Sequence, residues 1–119
     1  MTEITNVLRP VMYIFVNTTL KMTPGKVAGQ VGHLVQTIIE ELVTLGYNSK
    51  VYKRYTDWKT YGCTKIILKA TQEQMLELRK MDESFHVIDA GRTQIESGSM
   101  TVIGFYPTIT SVFKEYKLY

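Results

Sequence analysis

The fold of this chain is decided by residues 11–33, which read VMYIFVNTTLKMTPGKVAGQVGH. The apolar run Val11–Val16 is far shorter than the ~20 residues of a membrane-spanning helix, and it is typical of a buried strand. Thr23 then suits the N-cap of a helix. Pro24 suits the first helical position, where its missing N–H would be unpaired anyway. A buried strand that leads through a short loop into a helix predicts an α/β domain.

The helix is predicted to run from about Pro24 to Leu45, with Gly46 as its C-terminal stop. Its apolar residues follow helical spacing and predict one buried stripe: Ala28, Val31, Val35, Ile38, Ile39 and Leu42. Another side of the helix is polar, and the residues on it also follow helical spacing: Lys26, Gln30, His33 and Thr37. This polar side is either a solvated surface or part of a site.

Two glycines inside the predicted helix, Gly29 and Gly32, call for an explanation. Each costs up to about 1 kcal/mol relative to alanine at a helix-interior position. They indicate either the close approach of another backbone or room for a ligand beside Gln30 and His33.

The rest of the chain alternates strands and helices, without a low-complexity linker or an internal repeat. One domain is therefore expected over residues 11–119, after a loose lead-in at residues 1–10, and its sheet should be substantially parallel. Further strands are predicted at residues 64–69, 85–88 and 101–105. A second helix is predicted within Ser49–Tyr61. A third begins at a capping box, Thr71 and Gln74, and runs to about Met81, burying Met75, Leu78 and Met81 or their neighbours. Residues 109–116 are predicted to form a short closing helix, and residues 117–119 to fold back onto the sheet.

Composition narrows the function classes. A chain of 119 residues, 45% hydrophobic and 21% charged, is typical of a soluble globular domain. The single cysteine, Cys63, excludes an internal disulfide framework. With no export signal at the N-terminus, it favours a cytoplasmic location. One cysteine and two histidines, His33 and His86, do not supply a usual zinc site, so no metal is expected. Cys63 is expected to be a small buried apolar residue rather than a nucleophile.

Positive charge is concentrated in the first half of the chain. Residues 1–60 hold seven Lys or Arg against four Asp or Glu, whereas residues 61–119 hold seven of each. The densest part is 50–69, where Lys53, Arg54 and Lys65 alternate with tyrosines and Trp58. Such a patch either meets the phosphates and stacked bases of a nucleic acid, or is a solvated helix face beside an aromatic core.

Two segments could carry chemistry. In Lys21–His33 the free N–H groups of a helix N-terminus attract anions, and Lys26 adds a positive charge in the first turn. Neither a Walker A loop nor a dinucleotide fingerprint is present. In Val87–Thr101, Asp89 follows a strand and precedes a polar loop. If the strands are parallel, Asp89 and the helix N-terminus lie at the same edge of the sheet, where open α/β sheets bind ligands.

Together these segments resemble the archaeal and eukaryotic class of peptidyl-tRNA hydrolases. The first matches that family's signature at Lys21, Met22, Gly25, Lys26, Ala28, Gln30 and His33. The second matches at Asp89, Ala90, Gly91, Arg92, Thr93, Gln94, Gly98 and Thr101. Between them, the family pattern is also met at Trp58, Gly62, Lys65 and Ile66, so the resemblance covers nearly the whole chain from residue 11. The chain departs from the family at Gly29, at residues 83–86 and at residues 106–108.

The resemblance implies a single three-layer α/β/α domain with a four-stranded mixed sheet. It also implies hydrolysis of the ester that joins a peptide to the 3′ ribose of tRNA, without a cofactor. The proposed active-site residues of the family map onto Lys26, Asp89, Thr93 and Thr101. By hypothesis, Asp89 orients Lys26 or accepts a proton from water, and Lys26 stabilises the oxyanion. Thr93 positions the water or attacks directly. Substrate contacts are expected from Gln30, His33, Arg92, Lys21, Lys53, Arg54 and Lys65.

Alternatives to these expectations remain open. Lys26 and Asp89 could form a structural salt bridge with no catalytic part. The whole domain could be a non-catalytic module that binds RNA or a protein. The family is often dimeric, so a homodimer is a further expectation, whereas a membrane is not an expected partner.

Overall fold

A computed structural model describes residues 9–90 and 98–119. Within these residues the chain forms four strands: β1 (Met12–Asn17), β2 (Lys65–Ala70), β3 (Ser84–Ile88) and β4 (Met100–Phe105). It also forms three helices: α1 (Pro24–Leu42), α2 (Lys50–Thr60) and α3 (Gln72–Arg79). A 3-10 turn at Thr18–Leu20 follows β1. The predicted α/β domain with a four-stranded mixed sheet is confirmed.

The strand order is β2-β1-β4-β3. β1 pairs in parallel with β2, and β4 pairs antiparallel with both β1 and β3. β1, β2 and β3 therefore run in the same direction, and their carboxyl ends, at Asn17, Ala70 and Ile88, share one edge of the sheet. We call this the carboxyl edge, and the opposite one the amino edge. α1 begins just beyond the carboxyl edge, and Asp89 directly follows β3 there, as the sequence predicted.

Helices cover both faces of the sheet, because successive strand residues point to opposite sides. On one face, α1 and α2 bury a core with the sheet: Ile14, Val16, Leu34, Ile38, Trp58 and Val102. On the other face, α3 and the residues after β4 bury a second core: Phe15, Leu68, Met75, Leu78, Ile103 and Phe113. The result is three layers, with the sheet in the middle.

α1 lies directly on β4 at Gly104. A Cβ atom added there would lie 2.8 Å from Cδ2 of Leu34 and 3.1 Å from Cδ1 of Ile38. The buried residues of α1 are accordingly Val27, Leu34, Ile38 and Leu42. The predicted stripe was wrong in part: Ala28 is exposed, and Val31, Val35 and Ile39 are only half-buried. The helix sits on the sheet by its Leu34–Ile38 side, which leaves its Val31–Val35 flank partly open.

Two predicted helix ends were also wrong. α1 stops at Leu42 rather than Leu45, because Thr44 N–H and Leu45 N–H donate to carbonyls three residues back and tighten the chain into turns. Gly46 is therefore not the stop, since Val43 is the C-cap. α3 ends at Arg79, which leaves Met81 38% exposed.

Residues 109–116 form turns rather than the predicted closing helix. Lys114 N–H donates to Ser111 and Tyr116 N–H to Phe113, both across three residues, so no helical ladder develops. Phe113 is buried and holds this segment on the sheet. The tail does fold back, as predicted. Lys69 N–H donates to Lys117 O at 2.8 Å, and Tyr119 N–H donates to Ile67 O at 2.9 Å.

Candidate functional site at the carboxyl edge

Lys26 and Asp89 meet at the carboxyl edge. Lys26 lies in the first turn of α1, where its N–H donates to the hydroxyl of the N-cap Thr23 at 3.3 Å. Its Nζ donates to the carboxylate of Asp89, and the two side chains are only 9% and 2% exposed. The charges therefore attract each other in a poorly solvated place, where electrostatic effects are stronger than in water.

The backbone on either side of Asp89 is pinned to the start of β4. Asp89 N–H donates to Ser99 O at 2.8 Å, and Gly98 N–H donates to Asp89 O at 3.0 Å. These bonds hold the two ends of the loop between β3 and β4 beside Lys26. The predicted residues Arg92 and Thr93 lie outside the described residues, as does Gln94.

A bulge places Thr101 toward α1. Val87 pairs with Val102 and Ile88 with Met100, so Thr101 is the extra residue between them. Its hydroxyl lies 2.7 Å from Gln30 Oε1 and 3.2 Å from Val87 O. Thr101 is fully buried. One turn of α1 thus contributes both contacts, Lys26 to the end of β3 and Gln30 to the bulge in β4.

Asn17 is a buried polar residue that the sequence analysis missed. It is 1% exposed. Its Nδ2 donates to Gln72 Oε1 at 2.7 Å and to Met100 O at 2.9 Å, and its Oδ1 accepts from Thr19 N–H at 3.1 Å. Asn17 therefore joins the end of β1 to the first residues of α3 and β4 at the carboxyl edge. The available signal was a polar residue ending an apolar run, as Asp89 does.

The other predicted binding residues lie in two places, on or just before α1 and at the amino edge of the sheet. His33 is exposed on α1, and Lys21 is exposed just before it. Arg54 lies at the amino edge instead, held by both oxygens of Glu83 at 2.9 Å and by Thr108 at 3.1 Å. Lys65 also begins its strand there, with Nζ 5.2 Å from the centre of the Trp58 ring. The structure thus brings Gln30 to Lys26 and separates the basic patch from both.

Metal ligands and membrane spans were sought across the described part of the chain. There, no three His, Cys, Asp or Glu side chains are grouped to hold a metal ion. Nor does any of its helices have the length and apolarity needed to cross a membrane. Cys63 is half-buried and packs against the core that α1 and α2 form with the sheet.

The chain is similar over nearly its whole length to known proteins. The sequence model of a family described as "Peptidyl-tRNA hydrolase PTH2" matches residues 10–119. A "Probable peptidyl-tRNA hydrolase 2" from Dictyostelium discoideum is 34% identical, over 89% of this chain and 53% of that protein. A protein of the same name from Caenorhabditis elegans is 33% identical, over 85% and 33%. A "Peptidyl-tRNA hydrolase" from Saccharolobus islandicus is 34% identical, over 81% and 84%. The chain therefore spans about half of the first relative, a third of the second and most of the third.

Proposed function

The chain belongs to the peptidyl-tRNA hydrolase PTH2 family, and on that premise we propose that it hydrolyses the ester bond of peptidyl-tRNA, releasing peptide and free tRNA. The observation that carries the proposal is the nearly buried Lys26–Asp89 pair at the carboxyl edge. The proposed hydrolase domain is residues 11–119. A cytoplasmic location, where translation supplies the substrate, belongs to the same proposal and is supported by the free thiol of Cys63.

The proposed reaction needs little beyond placement and charge, because the ester is already activated. Water attacks the ester carbonyl carbon and gives up a proton, the bond to the ribose 3′ oxygen breaks, and that oxygen takes up a proton. The developing oxyanion needs a positive group already in place. Lys26 is suited to this, since Asp89 holds its ammonium group at the carboxyl edge.

The remaining roles follow from position. Asp89 orients Lys26 or accepts the proton of the attacking water. Thr93 positions that water or attacks directly. Thr101 is buried and bonded to Gln30, which supports a positioning role rather than contact with substrate. Contacts to the acceptor end of tRNA are proposed for Gln30, His33, Lys21 and Arg92, and contacts to its backbone for Lys53, Arg54 and Lys65.

Single-turnover release of peptide from peptidyl-tRNA tests the catalytic roles. We expect Lys26→Ala to slow the reaction about 100-fold or more, because the loss of one oxyanion-stabilising group typically has an effect of that size. Asp89→Ala and Thr93→Ala should also slow it. Lys114→Ala, which removes an exposed lysine from the opposite layer, is the control. Unmutated rates in all three folded variants would refute the assignment. An unmutated chain that binds an N-blocked aminoacyl-tRNA without releasing the amino acid would instead favour a non-catalytic binding module.

A matched pair of substitutions tests the positioning role of Thr101. Thr101→Val removes the hydroxyl and leaves Gln30 and the Val87 carbonyl without it, whereas Thr101→Ser keeps the hydroxyl. The rate should fall for valine and be largely restored by serine. Equal rates in the two variants would exclude the hydroxyl from the mechanism.

A homodimer is part of the proposal. An open apolar groove of about 650 Å³ runs between α1 and β2, and its lining includes Ala28, Val31, Val35, Ile67 and Tyr119. A second copy would cover the half-buried flank of α1 there. Sedimentation velocity should show that Val31→Lys shifts a dimer to monomer. Val43→Lys, at a 57% exposed position just past α1, should leave the dimer intact.

A further inference from the structure

The connection from α1 to α2 forms an open pocket, and of its lining residues only Lys53 already has a proposed role, in contact with the tRNA backbone. Its volume is about 500 Å³, and Tyr47, Lys50, Tyr52, Lys53 and Thr56 contribute to its lining. We call it the tyrosine–lysine pocket. α1 has 19 residues and at 1.5 Å per residue spans about 28 Å, with Lys26 in its first turn and this pocket beyond its last. The pocket is therefore remote from the Lys26–Asp89 pair.

The pocket presents an open aromatic face. Tyr47 is 82% exposed, which leaves at least one face of its ring uncovered. The ring is nevertheless supported, since the Tyr52 ring packs nearly perpendicular to it with the centroids 5.0 Å apart. Tyr52 in turn packs against Tyr55 at 5.5 Å. A supported ring with an open face is a platform on which a base can stack.

Two cations of the pocket are available to an anion. Lys50 and Lys53 are exposed and three residues apart on α2, so they share one side of the helix. Lys53 reaches Asp57 at 3.7 Å, but the two side chains are 77% and 48% exposed, and such pairs are weak. For Lys50 the described residues show no ion pair. Arg54, by contrast, is held by Glu83.

We propose that the tyrosine–lysine pocket binds a nucleotide within an RNA strand. The base stacks on Tyr47, and the phosphates on either side of it meet Lys50 and Lys53. Aromatic platforms and neighbouring cations are the means by which proteins bind single-stranded nucleic acid. An RNA strand that placed a base here and its ester at Lys26 would have to span about the length of α1. The proposal rests on the proposed function only for the choice of tRNA as the probe.

Binding of deacylated tRNA, measured by fluorescence anisotropy, tests the pocket without requiring hydrolysis. Tyr47→Ala removes one stacking contact and should therefore weaken tRNA binding about tenfold. Tyr47→Phe, which keeps the ring, should bind as the unmutated chain does. Lys50→Ala should lower the slope of log affinity against log salt by about one, and the control Lys114→Ala should not. Unchanged affinity in Tyr47→Ala overturns the proposal, and a changed oligomeric state with unchanged RNA affinity would mark the pocket as a protein contact instead.

Steady-state kinetics separate this pocket from the reaction. With full-length peptidyl-tRNA, Tyr47→Ala should raise KM several-fold and leave kcat unchanged. A trinucleotide ester spans only about 10 Å at 3.4 Å per stacked nucleotide. This short ester cannot reach the pocket from Lys26, so Tyr47→Ala should leave both KM and kcat unchanged for it. An equal effect on both substrates overturns the proposal. If the unmutated chain hydrolyses neither ester, the proposed function fails, and the anisotropy measurement still decides the pocket.

Discussion

At the scale of single residues, the Lys26–Asp89 pair links stability to the proposed chemistry. Each side chain is nearly buried, so removal of Asp89 leaves the Lys26 ammonium without this counter-ion in a poorly solvated place. Breaking a buried pair in this way is far more damaging than replacing both members with apolar groups. A loss of activity alone therefore does not separate a catalytic role from a structural one, and stability must be measured beside it.

We expect Asp89→Ala to lower the free energy of unfolding by about 3–5 kcal/mol, because the Lys26 ammonium loses its counter-ion. The double variant Lys26→Met/Asp89→Leu should recover most of that loss and remain inactive. Urea denaturation followed by circular dichroism measures both changes. A recovery of peptide release together with stability would show that the pair is only structural.

The contact between Lys26 and Asp89 was predictable because α1 begins beyond the carboxyl end of β1 and Asp89 follows that of β3, and parallel strands end at the same edge. The bond between Thr101 and Gln30 was not, because it depends on a bulge between β3 and β4 that no local pattern marks. Asn17 was missed for a similar reason. Its partners Gln72 and Met100 come beside it only through the strand order β2-β1-β4-β3.

At the scale of elements, Gly104 is closely packed and Gly29 is open, so substitution by alanine should change stability in opposite directions. Gly104→Ala should destabilise the fold by about 1–3 kcal/mol, because the added methyl group meets Leu34 and Ile38. Gly29→Ala should stabilise it by up to about 1 kcal/mol, because nothing described lies within 4 Å of the added atom and alanine favours the helix. Thermal unfolding measures both. Equal shifts of Tm in the same direction would contradict the packing of α1 on β4.

The same glycine environment decides between the two earlier explanations of Gly29 and Gly32. Within the described residues, nothing beyond the backbone of α1 itself lies within 4 Å of a Cβ added at either position, so no close backbone contact there explains these glycines. Room for a ligand beside Gln30 remains, and it belongs to the proposed site. A rise in KM for peptidyl-tRNA in Gly29→Ala, without loss of stability, would support it.

The tail that pairs with β2 leads to a separate prediction. β2 is an outermost strand of the sheet. Residues 117–119 cover its unpaired side through backbone hydrogen bonds with Lys69 and Ile67. Deletion of these three residues should expose unpaired backbone groups and promote edge-to-edge association. Light scattering over time should rise for the deletion. Lys117→Ala, which keeps the backbone, should behave as the unmutated chain.

Helix beginnings were more predictable than helix ends. Thr23, Ser49 and Thr71 each accept a backbone N–H bond as N-caps, and these are local interactions that the sequence displays. The ends of α1 and α3 are set instead by how far each helix packs on the sheet. The prediction of a closing helix at residues 109–116 was wrong because packing on the sheet decides there too: the buried Phe113 anchors turns.

At the scale of the whole molecule, alkaline pH should weaken the fold. Burial raises the pKa of Tyr116, and burial together with Glu41 and Glu83 raises the pKa of Tyr106. The unfolded chain thus loses these protons at a lower pH than the folded one. Their contribution is complete below about pH 10, the ordinary value for tyrosine, and is lost as pH rises through the folded pKa. Urea midpoints between about pH 9 and 11 should fall less steeply for Tyr116→Phe.

The order of synthesis gives the sheet topology a consequence for the living cell. The groups at the carboxyl edge are joined across 63 residues between Lys26 and Asp89 and 71 between Gln30 and Thr101. β1 also cannot complete its pairing until β4 is made, because β4 is its neighbour in the sheet and the last of the described strands in the chain. A nascent chain therefore lacks Thr101 and the complete carboxyl edge until residues 100–105 have emerged. For the proposed hydrolase, this order of synthesis means that the site forms only after β4 has been made.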